Sequence, residues 1–167
     1  MDRANAIRKH PVFAEKLGQV VELERGRTFC RHGMDHLLDV ARIAYILYLE
    51  RAIEFGSQMY HPENTKEMIY ASALLHDIGR ARQYEDGTPH EQESARIAQR
   101  ILPECGFCSE ESTLIIDAIL SHRTSSVGCK GELAKYIYRA DKLSRRCCDC
   151  AAIENCDWEL KNALLEY

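Results

Sequence analysis

The chain has 167 residues, 46% of them hydrophobic and 29% charged, with a formal net charge of -4. That length suits one domain with a proper core, and the apolar runs break well before bilayer length, which argues against a membrane span. Mild acidity without any basic run gives no strong nucleic-acid signal. The opening Met1-Asp2-Arg3-Ala4-Asn5 does not read as a signal peptide, so a cytoplasmic location is expected. Eight cysteines are present, but Cys147, Cys148, Cys150 and Cys156 crowd together rather than spreading like a disulfide framework.

Apolar residues recur at helical spacing almost throughout, and strand signals are nearly absent. The residues from Ala6 to Glu24 read as helix split near Pro11. Asp35 to Phe55 reads as a long helix with a wide apolar face (Leu37, Leu38, Val40, Ala41, Ala44) and a stop at Gly56. A helix from about Thr65 to Asp77 follows Asn64 as N-cap. Gly79 to Pro89 is polar and turn-rich and reads as a loop. Pro89 opens a helix to about Leu102, and Ser109 caps another that ends near His122. The last bundle helix is expected over Glu132 to Arg146, bent at Asp141, followed by a short helix near Asp157 to Leu165. No repeat, low-complexity tract or interdomain linker interrupts this all-α pattern.

Six side chains of hard-to-borderline ligand character fall at or near the ends of these apolar helices: His36, His76, Asp77, His90, His122 and Asp141. His76 and Asp77 are adjacent where an apolar run meets a glycine turn, so both can face one ion. His36, His76, Asp77 and Asp141 suffice for one site, and His90 with His122 supplies a second, bridged by Asp77. Imidazole and carboxylate together suit Fe or Mn, with Zn, Co and Ni as alternatives. Taken singly each of these histidines is more often a surface or core residue; the joint pattern carries the argument. His10 and His61, each before a proline, read as ordinary structural residues.

Three segments resemble the successive signatures of HD-domain phosphohydrolases: His36-Leu37-Leu38-Asp39-Val40-Ala41-Arg42-Ile43-Ala44, Leu74-Leu75-His76-Asp77-Ile78-Gly79 and Tyr138-Arg139-Ala140-Asp141-Lys142. The resemblance covers about residues 28–146. It implies an HD-domain helical bundle and metal-dependent phosphoester hydrolysis, with His36, His76, Asp77 and Asp141 at the ligand positions. Pro89 to Ala98, carrying His90, and Ala118 to Arg123, carrying His122, resemble the binuclear branch, which includes diadenosine-tetraphosphate hydrolases and HD-GYP domains acting on cyclic-di-GMP. The residues Arg123-Thr124-Ser125-Ser126 depart from both, which leaves the substrate open. The whole of 1–167 reads as a single HD domain with a Cys-rich extension over 147–167.

Arg80, Arg82, Arg123, Lys142 and Arg145 are the cationic candidates for holding phosphate. Arg80 and Lys142 directly follow ligand motifs and, with Asp77, are assigned to catalysis; Arg123 and Arg145 are assigned to substrate binding. Glu91 and Asp117 are candidate proton acceptors. His32, one helical turn before His36, is either a partner to the ligands or a polar residue at the helix entry. Cys147, Cys150 and Cys156, with Cys30, Cys105 or Cys108 as a fourth, offer a zinc or iron–sulfur site, against redox-sensitive thiols and plain packing.

The expected function is therefore hydrolysis of a nucleotide or other small phosphorylated substrate by metal-activated water, using one or two transition-metal ions. Homodimer formation stays open. The alternatives are a di-iron oxygenase of the same fold and a non-catalytic metal- or nucleotide-binding or redox-sensing protein.

Overall fold

The computed structural model describes residues 1–55, 62–124 and 131–158. Among them the chain is all-helical: α1 (Asp2–Lys9), α2 (Pro11–Leu23), α3 (Met34–Phe55), α4 (Pro62–Leu75), α5 (Arg80–Asp86), α6 (His90–Glu104), α7 (Ser109–Ser121) and α8 (Glu132–Leu143). Two single-turn 3-10 helices, Cys147–Asp149 and Ile153–Asn155, follow α8. No helix of the described residues is long and apolar enough to cross a membrane.

The split at Pro11 is as expected, and His10 makes it: its Nδ1 accepts from the Val12 N–H at 3.2 Å, while its Nε2 lies 2.9 Å from Glu104 Oε2. A ring that caps one helix and ties it to another is a structural residue. His61, Gly56 and all but the first two residues of the helix expected near Asp157 to Leu165 lie outside the described residues; Asp157 and Trp158 are not helical.

Several boundaries differ from expectation for local reasons. Pro62 takes the first position of α4, its fixed φ being compatible with a helix start, so Asn64 falls inside the helix instead of capping it. The N-cap of α7 is Cys108, not Ser109, because the Glu111 carboxylate accepts from the Cys108 N–H at 3.1 Å. α8 is continuous through Asp141 and ends at Leu143, where the Ser144 hydroxyl donates to the Asp141 carbonyl at 2.9 Å and its N–H to Ala140 at 2.8 Å.

The largest difference is α5, in a stretch that reads as loop. It buries only Ala81 and closes on Gly87, whose φ of +81° is the left-handed conformation that favours glycine. Seven residues with one buried side chain leave too little periodicity to see in sequence.

Two cores flank the site. One gathers Ile7, Phe13, Leu75, Ile78, Ile101 and Ile119 between α1, α2, α4, α6 and α7. The other, between α3, α4, α7 and α8, is rich in alanine: Ala41, Ala44, Ala73, Ala118, Ala134 and Ala140. Small side chains let these helices approach closely, which brings their ends together. Arg3 clamps α1 to α4 and α7, with Glu67 and Glu111 each at 2.6 Å.

Candidate metal centre

Four helix ends and one turn converge between the two cores. α3 brings His36, the end of α4 brings His76 and Asp77, α6 opens with His90, α7 closes on His122, and the last turn of α8 presents Asp141. Gly79 makes the convergence sterically feasible. A Cβ there would stand 2.5 Å from the Ser94 backbone nitrogen and 2.7 Å from the His90 carbonyl oxygen. Its absence lets the His76-Asp77 turn press against the start of α6, where the Gly79 N–H donates to Ser94 Oγ at 2.9 Å.

Two groups of ligand atoms result, each with all members within 4.8 Å of one another: His36, His76, Asp77 and Asp141, and then Asp77, His90 and His122. Asp77 belongs to both, one oxygen to each. Its Oδ2 lies 3.4 Å from His36 Nε2 and 3.2 Å from His76 Nε2. Its Oδ1 lies 3.0 Å from His90 Nε2 and 3.6 Å from His122 Nε2. Asp141 Oδ1 stands 3.6 Å from His36 Nε2 and 3.9 Å from His76 Nε2. Ligands about 2.1 Å from an ion have polyhedron edges of about 3.0–3.4 Å; the contacts of His36, His76 and His90 with Asp77 fall in that range, and those of His122 and Asp141, at 3.6–3.9 Å, lie just outside it.

The imidazoles are oriented for the same purpose. His76 Nδ1 meets the Ala73 carbonyl at 2.8 Å and His122 Nδ1 meets that of Ile119 at 2.6 Å; a carbonyl can only accept, so the proton sits on Nδ1. His90 Nδ1 is held by the Gln83 side-chain oxygen. His36 Nδ1 lies 3.3 Å from Ser144 Oγ, whose own proton goes to the Asp141 carbonyl. With Nδ1 engaged in each ring, Nε2 is the nitrogen left to face the carboxylates and the one a metal ion would take once its proton is displaced.

Burial makes the arrangement costly without a cation. Asp77 is 1% exposed and His76 fully buried. No donor is aligned on either Asp77 oxygen, although Arg80 Nε approaches Oδ2 to 2.9 Å as an ion pair. Burial disfavours an ionised Asp77, yet His76 and Arg80 hold it well below the usual carboxylate range. Asp141 is likewise opposed by burial and held low by His76 and Lys142. On His76 burial opposes the charge, and the two carboxylates still push its pKa up to about 10. Such demand for positive charge at a buried point is what a divalent ion would meet, so the residues fit the group.

The expected cations divide by distance. Arg80 is mostly buried against Asp77; Lys142 Nζ pairs with Asp141 Oδ2; Arg145 Nη2 lies 3.7 Å from the same oxygen. Arg123 is half exposed and tied to Glu91 at 3.4 Å, and Arg82 is turned outward to Asp86 at 2.5 Å. Glu91, bound to Arg123, comes only within 3.8 Å of His90 Nδ1, and Asp117 belongs to neither ligand group. His32 is buried, with Nδ1 2.6 Å from Glu24 Oε1 and Nε2 3.9 Å from Asp77 Oδ2, at the edge of the first group. Three orienting groups escape a sequence reading: Gln83, hidden in the short α5; Ser144, past the last turn of α8; and Glu24, which holds His32.

A cavity of about 320 Å³ opens beside the centre, lined by Arg27, His32, Arg80, Arg145 and Trp158 among others. Trp158 is 45% exposed, with the Arg145 guanidinium 3.8 Å over its ring.

An all-helical bundle with a buried His/Asp cluster at the meeting point of its helix ends defines a class of protein built to hold divalent metal. The HD domain model matches residues 33–146, and the chain belongs to the HD-domain family. It is 41% identical, over the full length of both chains, to an uncharacterized protein of Clostridium beijerinckii. It is 31% identical over 122 residues to a bifunctional uridylyltransferase/uridylyl-removing enzyme of Nitrobacter hamburgensis, and 26% identical over 113 residues to ribonuclease Y 1 of Pediococcus pentosaceus. Those matches take 68% of this chain in each case, but only 12% and 18% of the longer relatives. The crystal structure of a predicted HD superfamily hydrolase from an uncultured Thermotogales bacterium superposes with a TM-score of 0.56 at 25% identity, covering 86% of this chain and 74% of that one.

Proposed function

We propose that this protein is a metal-dependent phosphohydrolase that uses two ions and acts on a nucleotide or a small phosphorylated molecule. In this reading His36, His76, Asp77 and Asp141 would hold one ion, and Asp77, His90 and His122 would hold the other. Mixed imidazole and carboxylate donors favour Fe or Mn. Bound ions of this kind acidify water and neutralise phosphate charge.

The observation that carries the reading is electrostatic. Two buried carboxylates face Arg80, Lys142 and Arg145, so with divalent ions in place the pocket holds a surplus of positive charge. An anion of high charge density, such as a phosphoryl group, suits that field. Arg80 and Lys142 each touch a ligand carboxylate, which keeps them at the rim of the ion sites, where they can bind phosphate oxygens and steady charge on them as the ester bond breaks. Trp158, which lines the adjoining cavity beside Arg145, offers an aromatic surface for the organic part of a nucleotide. The names of two relatives, a uridylyl-removing enzyme and a ribonuclease, speak of nucleotidyl substrates.

The test is a screen of Mn- and Fe-loaded protein, with and without oxygen, against nucleoside monophosphates, dinucleotide polyphosphates and cyclic dinucleotides. The reading expects phosphate release that is independent of oxygen and absent in Asp77→Ala. A fully metallated protein that binds nucleotides without turning any over would contradict it, as would turnover that requires oxygen.

A further inference from the structure

One group of side chains has no part in that chemistry. Cys30 lies on the segment between α2 and α3, and Cys147, Cys150 and Cys156 lie on the turns after α8. Cys30 and Cys147 both line two adjoining cavities of about 310 and 320 Å³; Cys150 lines the first and Cys156 the second. Four thiols from distant parts of the sequence therefore share one corner. The other candidates for a fourth sulfur are elsewhere: Cys105 is packed into the core near Ile101 and Phe107, and Cys108 caps α7.

From this juxtaposition of Cys30 with the Cys147-x2-Cys150-x5-Cys156 segment, we infer an all-thiolate site for a thiophilic metal centre, an iron–sulfur cluster or a zinc ion, distinct from the His/Asp centre.

Two further observations support it. Arg145 lines both cavities together with Cys30 and Cys147, and its Nη1 is buried with no hydrogen-bond acceptor. A cationic N–H left bare in that position is matched by thiolate or sulfide, both acceptors that carry negative charge. The segment itself is also poorly held. Between Cys147 and Cys156 it forms only two single-turn helices and buries only Cys147 and Ala152. So little apolar burial does not offset the entropy of ordering ten residues, whereas metal ligation can order such a segment.

The spacing bears on which centre is held. No three of these sulfurs stand within 4.8 Å of one another, whereas sulfurs around one zinc ion stand about 3.8 Å apart. A cluster, whose separate irons each take a cysteine, holds them further apart and fits the corner with less movement of the chain. The site goes beyond the phosphohydrolase reading and does not rest on it, because its metal can be measured without any substrate.

The experiment is to purify the full chain without oxygen and measure Fe, Zn and acid-labile sulfide per chain, with the absorption spectrum. Cys30→Ser and Cys150→Ser are compared with Cys105→Ser, which should change nothing. Labile sulfide and a thiolate-to-iron band lost in the first two variants, with helical circular dichroism and the His/Asp-bound metal retained, supports the cluster. Zinc lost in the same two variants, without sulfide, supports the thiolate site with zinc as its metal. Four freely titrating thiols and no metal that follows the cysteines would overturn the inference. A variant that fails to fold is replaced by wild-type protein in which the thiols are counted before and after chelation; an unchanged count contradicts the site.

Discussion

The His/Asp centre and the thiol corner lie next to each other and are built in opposite ways. At the first, every histidine stands at a helix end or on an adjoining turn, each ring is fixed by a carbonyl, Gln83 or Ser144, and the donor atoms already stand 3.0–3.9 Å apart. At the second, the donors lie on short turns, and no three sulfurs are within 4.8 Å. The lesson is that one centre is preorganised by the fold while the other needs its metal to be organised. Removing metal should leave α1–α8 largely intact and loosen the segment from Cys147 to Cys156.

The substitutions that probe this contrast run from severe to slight. Asp77→Ala removes the carboxylate common to both ligand groups, so metal content at the His/Asp centre and hydrolysis both fall to background, while circular dichroism stays helical. Arg80→Gln should lower kcat/KM by roughly 100-fold, as expected for loss of one charge-stabilising donor, whereas Arg123→Gln, whose arginine is tied to Glu91 at the rim, leaves it nearly unchanged. Gln83→Ala frees the His90 ring and should weaken the second ion by roughly 10- to 100-fold, measured by competition with a chelator. Gly79→Ala forces a methyl group into the backbone of α6; it should cost about 1–3 kcal/mol in denaturant unfolding and disturb the second ion before the first.

The smallest effect concerns pH. Burial opposes ionisation of Glu24, but hydrogen bonds from His32 and Tyr84 win and bring its pKa down to about 2 from 4.5. A depressed carboxylate contributes stability that is present above pH 4.5 and lost as the pH falls toward 2. Metal-free Glu24→Gln should therefore show a shallower loss of stability than the wild type across that window. An equally steep loss in the variant would show that the Glu24–His32 pair is not the source.

Much of this was legible in the sequence because the candidate ligands announce themselves by position. His36, His76, Asp77, His90, His122 and Asp141 each sit at or near the end of an apolar helical run, and the structure brings all six together. The helical class and the break at Pro11 follow from periodicity and proline chemistry. What escaped was set by contacts between distant segments. α5 was hidden because one buried alanine gives no period, and Gln83 was hidden with it. The early end of α8 depends on the Ser144 hydroxyl, and the choice of Cys30 over Cys105 and Cys108 depends on where the α2–α3 segment lies beside the turns after α8. No local pattern encodes either.

The two-ion centre hinged on Asp77 is tested most directly by titrating metal-free protein with Mn(II) and following electron paramagnetic resonance, since manganese has little affinity for thiolates. The expected result is two ions per chain with spin coupling between them, one ion and no coupling in His122→Ala, and none bound tightly in Asp77→Ala. A single uncoupled ion in the wild type, unaffected by His90→Ala or His122→Ala, would contradict the account.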